Sequence, residues 1–262
     1  MSFPLFQVDA FASKPFSGNP AAICFLTEAC DATWMQQVAA EMNLSETAFL
    51  YPKEAGYHLR WFTPVCEVDL CGHATLASAH ILWEEKHVDL ETVIQFETRS
   101  GVLRAEKKEN RIQIDFPAEA EQRVDAPLEL LEALGVEAVY LGKTRFDYLI
   151  EVSNETVLRG IQPDFNRLKK VAMRGVIVTA STSNADYDFV SRFFAPAAGI
   201  DEDPVTGSAH CVLGPYWEKR MGKKMLNAYQ ISARGGRLKI RCQGERVFLE
   251  GEALTVFRGS LL

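Results

Sequence analysis

The sequence predicts an α+β fold of two pseudo-equivalent domains, each a curved, mostly antiparallel sheet wrapped around one central helix. The first observation behind this is a duplication. Arg60-Trp61-Phe62-Thr63-Pro64 is answered 132 positions later by Arg192-Phe193-Phe194-Ala195-Pro196. Two acids separated by one residue follow each copy, Glu67 and Asp69 in the first, Asp201 and Asp203 in the second. Each copy then reaches a glycine that opens an apolar stretch, Gly72-His73-Ala74-Thr75 and Gly207-Ser208-Ala209-His210. The glycines are 135 positions apart, so the register holds to within three residues. The second observation is that both stretches are small and apolar on nearly all sides, as buried helices are. The third is the recurrence of short strand-like runs along the whole chain.

In order, strands are expected at Leu5–Val8, Ala22–Leu26, His58–Phe62, Val93–Glu97, Leu103–Glu106 and Arg111–Phe116, where Ile112, Ile114 and Phe116 alternate. Thr33–Met42 reads as a helix, with Trp34, Val38 and Met42 on one face. Gly72–Glu85 is the first central helix. An alternating strand gives way to a polar stretch at Pro117-Ala118-Glu119, which sets the expected domains at 1–117 and 118–262, with the last ~10 residues free to return to the first. In the second half, Pro127–Leu134 starts with proline and stops at Gly135. Strands follow at Ala138–Leu141, Tyr148–Val152, Gly175–Thr179, Phe189–Phe194, Leu238–Cys242, Val247–Leu249 and Leu254–Phe257. The helix Gly207–Lys219 lies among them, and Pro215 inside it predicts a kink or an early end.

A net charge of −7 disfavours nucleic acid and anionic membranes as partners. No apolar run approaches the ~20 residues of a membrane span, and Met1-Ser2-Phe3-Pro4-Leu5 is not a secretory opening. With those features the six cysteines read as reduced thiols, and the expected location is cytoplasmic.

Three segments set polar groups among apolar, turn-rich neighbours: Asn43 to Phe49, Glu67 to His73, and Asp201 to Ser208. A helix N-terminus leaves backbone N–H groups unpaired and carries partial positive charge, so Gly72 and Gly207 can each open an anion-binding turn. The alternative is a glycine that merely allows close packing. Glu46, flanked by Leu44, Ala48 and Phe49, would lose solvation, and its pKa would rise toward the range of a group that both gives and takes a proton. The bland alternative is a solvent-facing acid. Cys71, one residue before Gly72, reads either as an activated thiol or as a small buried residue. Cys66, Cys71, His73 and His80 match no standard zinc spacing, so no metal is expected. Ser208 and His210, two apart on a helix, point away from each other.

Taken together, Asp9-Ala10-Phe11, Gly18-Asn19-Pro20-Ala21-Ala22, Asn43 to Phe49, Arg60 to Pro64, Glu67 to Thr75 and Glu202 to Ala209 resemble the PhzF-like family of phenazine biosynthesis in the family's order. The resemblance implies a diaminopimelate-epimerase-like fold, a site in a cleft between the halves, an isomerase without metal or organic cofactor, and a homodimer. It implies that Glu46 moves a proton on a small carboxylate-bearing ring. His73 and Asp203 would hold the polar substituents, and Gly72, Gly207 and Ser208 the carboxylate. Related epimerases use two thiols. Cys71 matches the first, and the second position is expected at or beside Pro204, so a one-base transfer by Glu46 is favoured. Two further readings stand beside it: a metabolite- or partner-binding protein without turnover, and a Cys71-dependent epimerase.

Overall fold

The computed structural model describes residues 2–125 and 127–262. They fall into two compact units, one formed by residues up to Phe116 with Phe248–Leu262, the other by Pro117–Val247. The returning segment is therefore longer than the ten residues expected.

The first unit contains β1 (Phe3–Ala10), β2 (Asn19–Phe25), α1 (Ala32–Met42), β3 (Glu46–Lys53), β4 (Gly56–Phe62), β5 (Glu67–Val68), α2 (Gly72–Glu84), β6 (Ile94–Thr98), β7 (Gly101–Lys108) and β8 (Arg111–Pro117). The second contains β9 (Gln122–Arg123), α3 (Leu128–Leu134), β10 (Tyr140–Lys143), β11 (Asp147–Glu151), α4 (Glu155–Gly160), α5 (Phe165–Leu168), β12 (Gly175–Ser181), β13 (Phe189–Phe194), α6 (Gly207–Met221), β14 (Met225–Gln230) and β15 (Gly236–Gln243). The unit boundary falls inside β16 (Arg246–Gly251), and β17 (Ala253–Leu261) belongs to the first unit.

The strand pairings repeat. In the first unit β1 is antiparallel to β2, β2 parallel to β3, β3 antiparallel to β4, β4 parallel to β6, and β6 antiparallel to β7. In the second, β10 to β15 follow the same series of orientations. The edges match as well, β17 lying antiparallel to β1 and β9 antiparallel to β10. The α+β duplication read from the sequence is thus a duplication of topology.

In each unit one face of the sheet holds the central helix. Helix α2 is buried along nearly its whole length and packs on β1, β2, β3 and β17. Its polar side chains return to its own backbone, Thr75 Oγ1 donating to the Cys71 carbonyl and Ser78 Oγ to that of Ala74 at 2.7 Å. The other face carries α1, whose Met35, Val38 and Ala39 pack with Leu26, Phe49 and Phe62. Asp31 caps α1 by accepting from the amides of Thr33 and Trp34. With both faces covered, β2 is almost wholly buried, as the parallel part of a sheet is. In the second unit α3, α4 and α5 take the place of α1 through Leu130, Leu134, Leu158 and Leu168.

Helix α6 does not end at Pro215; it runs on to Met221. Proline removes the amide that would bond the Cys211 carbonyl, and the Glu119 amide donates to that oxygen instead, at 3.1 Å. No helix among the described residues is long and apolar enough to cross a membrane.

Candidate active site

Strand β3 begins at Glu46, and β2 alongside it begins at Asn19. Both open toward the start of α2, where Cys71 is the N-cap and His73 the second residue. Glu46 Oε2 lies 3.3 Å from His73 Nε2, and the Glu46 side chain is only 12% exposed, so it does not face bulk water. On the opposite edge of the imidazole, Nδ1 is 3.1 Å from Asn19 Nδ2 and 3.5 Å from Cys71 Sγ.

These contacts assign the tautomer. An amide nitrogen only donates, so Asn19 makes Nδ1 the acceptor and leaves the ring proton on Nε2, facing Glu46. Burial drives the His73 pKa down to about 3, so the ring is neutral at physiological pH. The pair is a neutral N–H beside a carboxyl group, not an ion pair. The two atoms are close but not aligned as a hydrogen bond, a geometry that catalytic contacts without substrate often show.

Asn19 pairs with Ala10 across the loop that joins β1 to β2. Asp9, fully buried, accepts from the Phe16 amide at 2.7 Å, closing a loop in which Phe11 and Phe16 both have positive φ. Sequence reasoning had no role for Asn19. Its signal was a polar residue at the head of an otherwise apolar strand.

Glu46, Cys71 and His73 also have ligand atoms within 4.8 Å of one another. A cation takes one ring nitrogen, yet the thiol faces Nδ1 and the carboxylate faces Nε2. The arrangement suits a hydrogen-bond relay better than a chelate. Cys66 is exposed and all six cysteines are free.

In the second unit the turn before α6 is built on a buried glutamine. Gln230 Oε1 accepts from the Thr206 amide at 2.9 Å, and its Nε2 donates to the Asp203 carbonyl at 2.7 Å and to Thr206 Oγ1 at 3.2 Å. Thr206 Oγ1 in turn donates a hydrogen bond to Asp203 Oδ2. Asp203 is 6% exposed and is presented as a hydrogen-bond acceptor. Gly207 opens the helix behind this turn and Ser208 follows it, its Oγ 3.1 Å from Arg174 Nη2. His210 bonds the Thr206 carbonyl through Nδ1 and is fully buried.

The register corrects a sequence reading. Arg60 clasps Glu67 with two bonds of 2.7 and 2.8 Å, and Arg192 clasps Glu202 with two of 2.7 and 2.9 Å. The duplicated acids are therefore Glu67 and Glu202, not the pairs spaced by one residue. The N-caps Cys71 and Thr206 then correspond, so the residue that answers Cys71 in the second half is Thr206. Thr206 carries a hydroxyl, a far weaker acid, where Cys71 carries a thiol.

The buried histidines make stability acid-sensitive. His73 and His210, with pKa values of about 3 and 4, bind protons far more readily in the unfolded chain. Their effect on stability is negligible well above the unfolded value of about 6.5 and grows as the pH falls below it toward the folded values. At pH 5 each histidine costs about 2 kcal/mol relative to pH 7. Urea unfolding at both pH values should show this, and His210→Asn should reduce the difference between them by about that amount. An unchanged difference would mean that His210 is not buried neutral.

A family model for phenazine biosynthesis-like proteins, PhzC-PhzF, matches residues 8–259. An uncharacterized isomerase of Halalkalibacterium halodurans is 54% identical over 100% of this chain and 99% of its own. A PhzF-family phenazine biosynthesis protein from Enterococcus faecalis superposes with a TM-score of 0.93, at 43% identity and with 100% of both chains covered. A predicted epimerase from Pseudomonas aeruginosa, 21% identical with a TM-score of 0.79 over 99% of both chains, shares the fold alone.

Proposed function

This chain belongs to the phenazine biosynthesis-like family and is an isomerase, and from that premise we propose that Glu46 moves a proton within a small carboxylate-bearing metabolite. The carrying observation is a nearly buried carboxyl group 3.3 Å from a neutral imidazole whose proton faces it. Glu46 as carboxylate takes a proton from a carbon made acidic by neighbouring unsaturation. The Nε2–H of His73 offsets the charge that moves between substrate and base. Glu46 then returns the proton to a different carbon on the same face, so one residue serves as base and acid.

Asp203, presented as an acceptor, orients a hydroxyl or amino substituent. The amides at Gly72 and Gly207 and the hydroxyl of Ser208 bind the carboxylate. No metal or organic cofactor is needed for these steps. The acidic net charge and free thiols fit a cytoplasmic protein acting on a metabolite rather than on nucleic acid or membrane. We also expect a homodimer, for which light scattering would give the mass of two chains.

The test is proton NMR in D₂O with a panel of small cyclic and unsaturated carboxylates. Turnover should place deuterium on one carbon with the wild type and fail with Glu46→Gln. Equal incorporation by both would remove Glu46 from the reaction. The 3.5 Å approach of Cys71 Sγ to His73 favours a second reading, a thiol-dependent epimerase. Cys71→Ser separates the two: the Glu46 mechanism retains most activity, within about tenfold, whereas a thiol base would lose the 10²–10⁴-fold typical of a lost general base. Binding without turnover, unaffected by Glu46→Ala, would instead mark a ligand-binding protein.

A further inference from the structure

Strand register shows what the second unit carries where the first carries its acid/base pair. Thr47 pairs with Phe62, and Val176 pairs with Phe194, the duplicated partner. One step back along each strand, Glu46 corresponds to Gly175, and Ser45 to Arg174. Across to the parallel neighbours, Ala21 pairs with Glu46 and Asp147 with Gly175. At the helices, His73 corresponds to Ser208. The pair Glu46–His73 is thus replaced by Gly175–Ser208, with Arg174 and Asp147 new beside it.

No carboxylate can stand at Gly175 as the unit is packed, because a Cβ there would lie 2.4 Å from the Phe193 ring. Arg174 is fixed instead. It makes two bonds to Asp147, one of 2.9 Å from Nε, and Asp147 is 1% exposed. Its guanidinium also lies 5.2 Å from the Phe146 ring and 5.9 Å from that of Phe193. From this position Nη2 donates to Ser208 Oγ at 3.1 Å.

We propose that Arg174 is the positioning residue for Ser208 and that the Asp147–Arg174–Ser208 series makes the enzyme selective for substrates with an anionic group. This rests on the reading of Ser208 as a substrate contact. A guanidinium carries donors only, so the hydroxyl oxygen must accept from it and turns its own hydrogen away from Arg174. Ser208 is then a donor beside the donating Gly207 amide, so the site offers donors to both atoms of the group. Both oxygens of a carboxylate accept, whereas a carboxamide must turn its NH₂, itself a donor, toward one of them. Asp147 neutralises the arginine, so selectivity comes from the direction of one hydroxyl, not from free positive charge. The duplication has divided the work: the first unit kept a proton carrier, and the second exchanged it for an anion reader.

The test uses full-length protein and two probes of one shape, anthranilate and its neutral amide, with affinities from calorimetry. The wild type should prefer the carboxylate by about tenfold or more, the worth of one hydrogen bond to a charged group. Ser208→Ala and Arg174→Met should each remove most of that preference, and the double variant should lose no more than either single one, because Arg174 acts through Ser208. Arg174→Lys, unable to hold Asp147 and Ser208 in one fork, should not restore it. Should Arg174→Met fail to fold with Asp147 left unpaired, Arg174→Met with Asp147→Asn removes the buried charge and gives the same readout. Preference retained without Arg174, additive losses in the double variant, or a wild type indifferent between the probes would each overturn the proposal. Glu46→Gln should keep the preference while losing deuterium exchange. If it keeps the exchange, the proton-transfer reading fails and the selectivity assignment is judged on the probes alone.

Discussion

Glu46→Gln is expected to slow deuterium incorporation by about 10²–10⁴-fold, the usual worth of a general acid/base, while leaving the protein folded. The substitution keeps size and shape, and the site is already nearly closed to water, with the side chain 12% exposed. An amide can hold the substrate but cannot take its proton. Binding should therefore change little and the loss should fall on the chemical step. His73→Asn should cost less, because the imidazole supplies a hydrogen bond and not the proton that moves. Asn19→Leu should act through His73: with only the Cys71 thiol, a weak donor that can also accept, left at Nδ1, the ring is free to adopt the other tautomer and turn an acceptor toward Glu46. A loss with Asn19→Leu that His73→Asn makes no worse would support this order of action. Full activity in Glu46→Gln would leave the first unit without an assigned base.

Much of this site could be read from the chain, and the exceptions have physical causes. The two central helices and their glycine starts were legible because fully apolar helices opened by glycine are rare away from a core. Glu46 stood out because its neighbours are apolar. Strand β3 was not read as a strand, since Asn43-Leu44-Ser45 resembles a turn and the apolar run only starts at Ala48. Strand β14 was missed because Gln230 takes an inward position that alternation reserves for apolar residues, and its burial is bearable only because it is bonded to Thr206 and Asp203. Helices α4 and α5 are too short for a periodicity, although Asn154 and Asp164 cap them. The duplicated acids were paired wrongly for a local reason. The offset rises from 132 to 135 between Pro196 and Glu202, where the second copy adds a turn at Pro196–Ala198. Spacing alone could not say on which side of the acids the three residues enter; the arginine clasps do.

Those clasps carry the second large effect. Arg192→Met should destabilise the protein by about 3–5 kcal/mol, because Glu202 is left charged and mostly buried without its partner. The side chains of Arg192 and Glu202 are 12% and 22% exposed, so solvent recovers little of the loss. Arg192 also donates to the carbonyls of Leu158 and Ile161, tying α4 to β13, and those bonds go with it. Replacing the pair together, Arg192→Met with Glu202→Leu, should recover most of the loss, since two apolar groups leave no stranded charge. It should stop short of wild type by about 1–2 kcal/mol for the two carbonyls. The matching change in the first unit, Arg60→Met, should cost less. Glu67 there has a second cation, Arg99 Nη2 at 2.6 Å, which remains after Arg60 is removed. Urea unfolding of the four proteins decides the matter, and equal losses from Arg60→Met and Arg192→Met would contradict the account. Glu202 adjoins Asp203, so Arg192→Met should also weaken substrate binding at temperatures where the fold is intact. The clasp would then hold the acceptor in place as well as the chain.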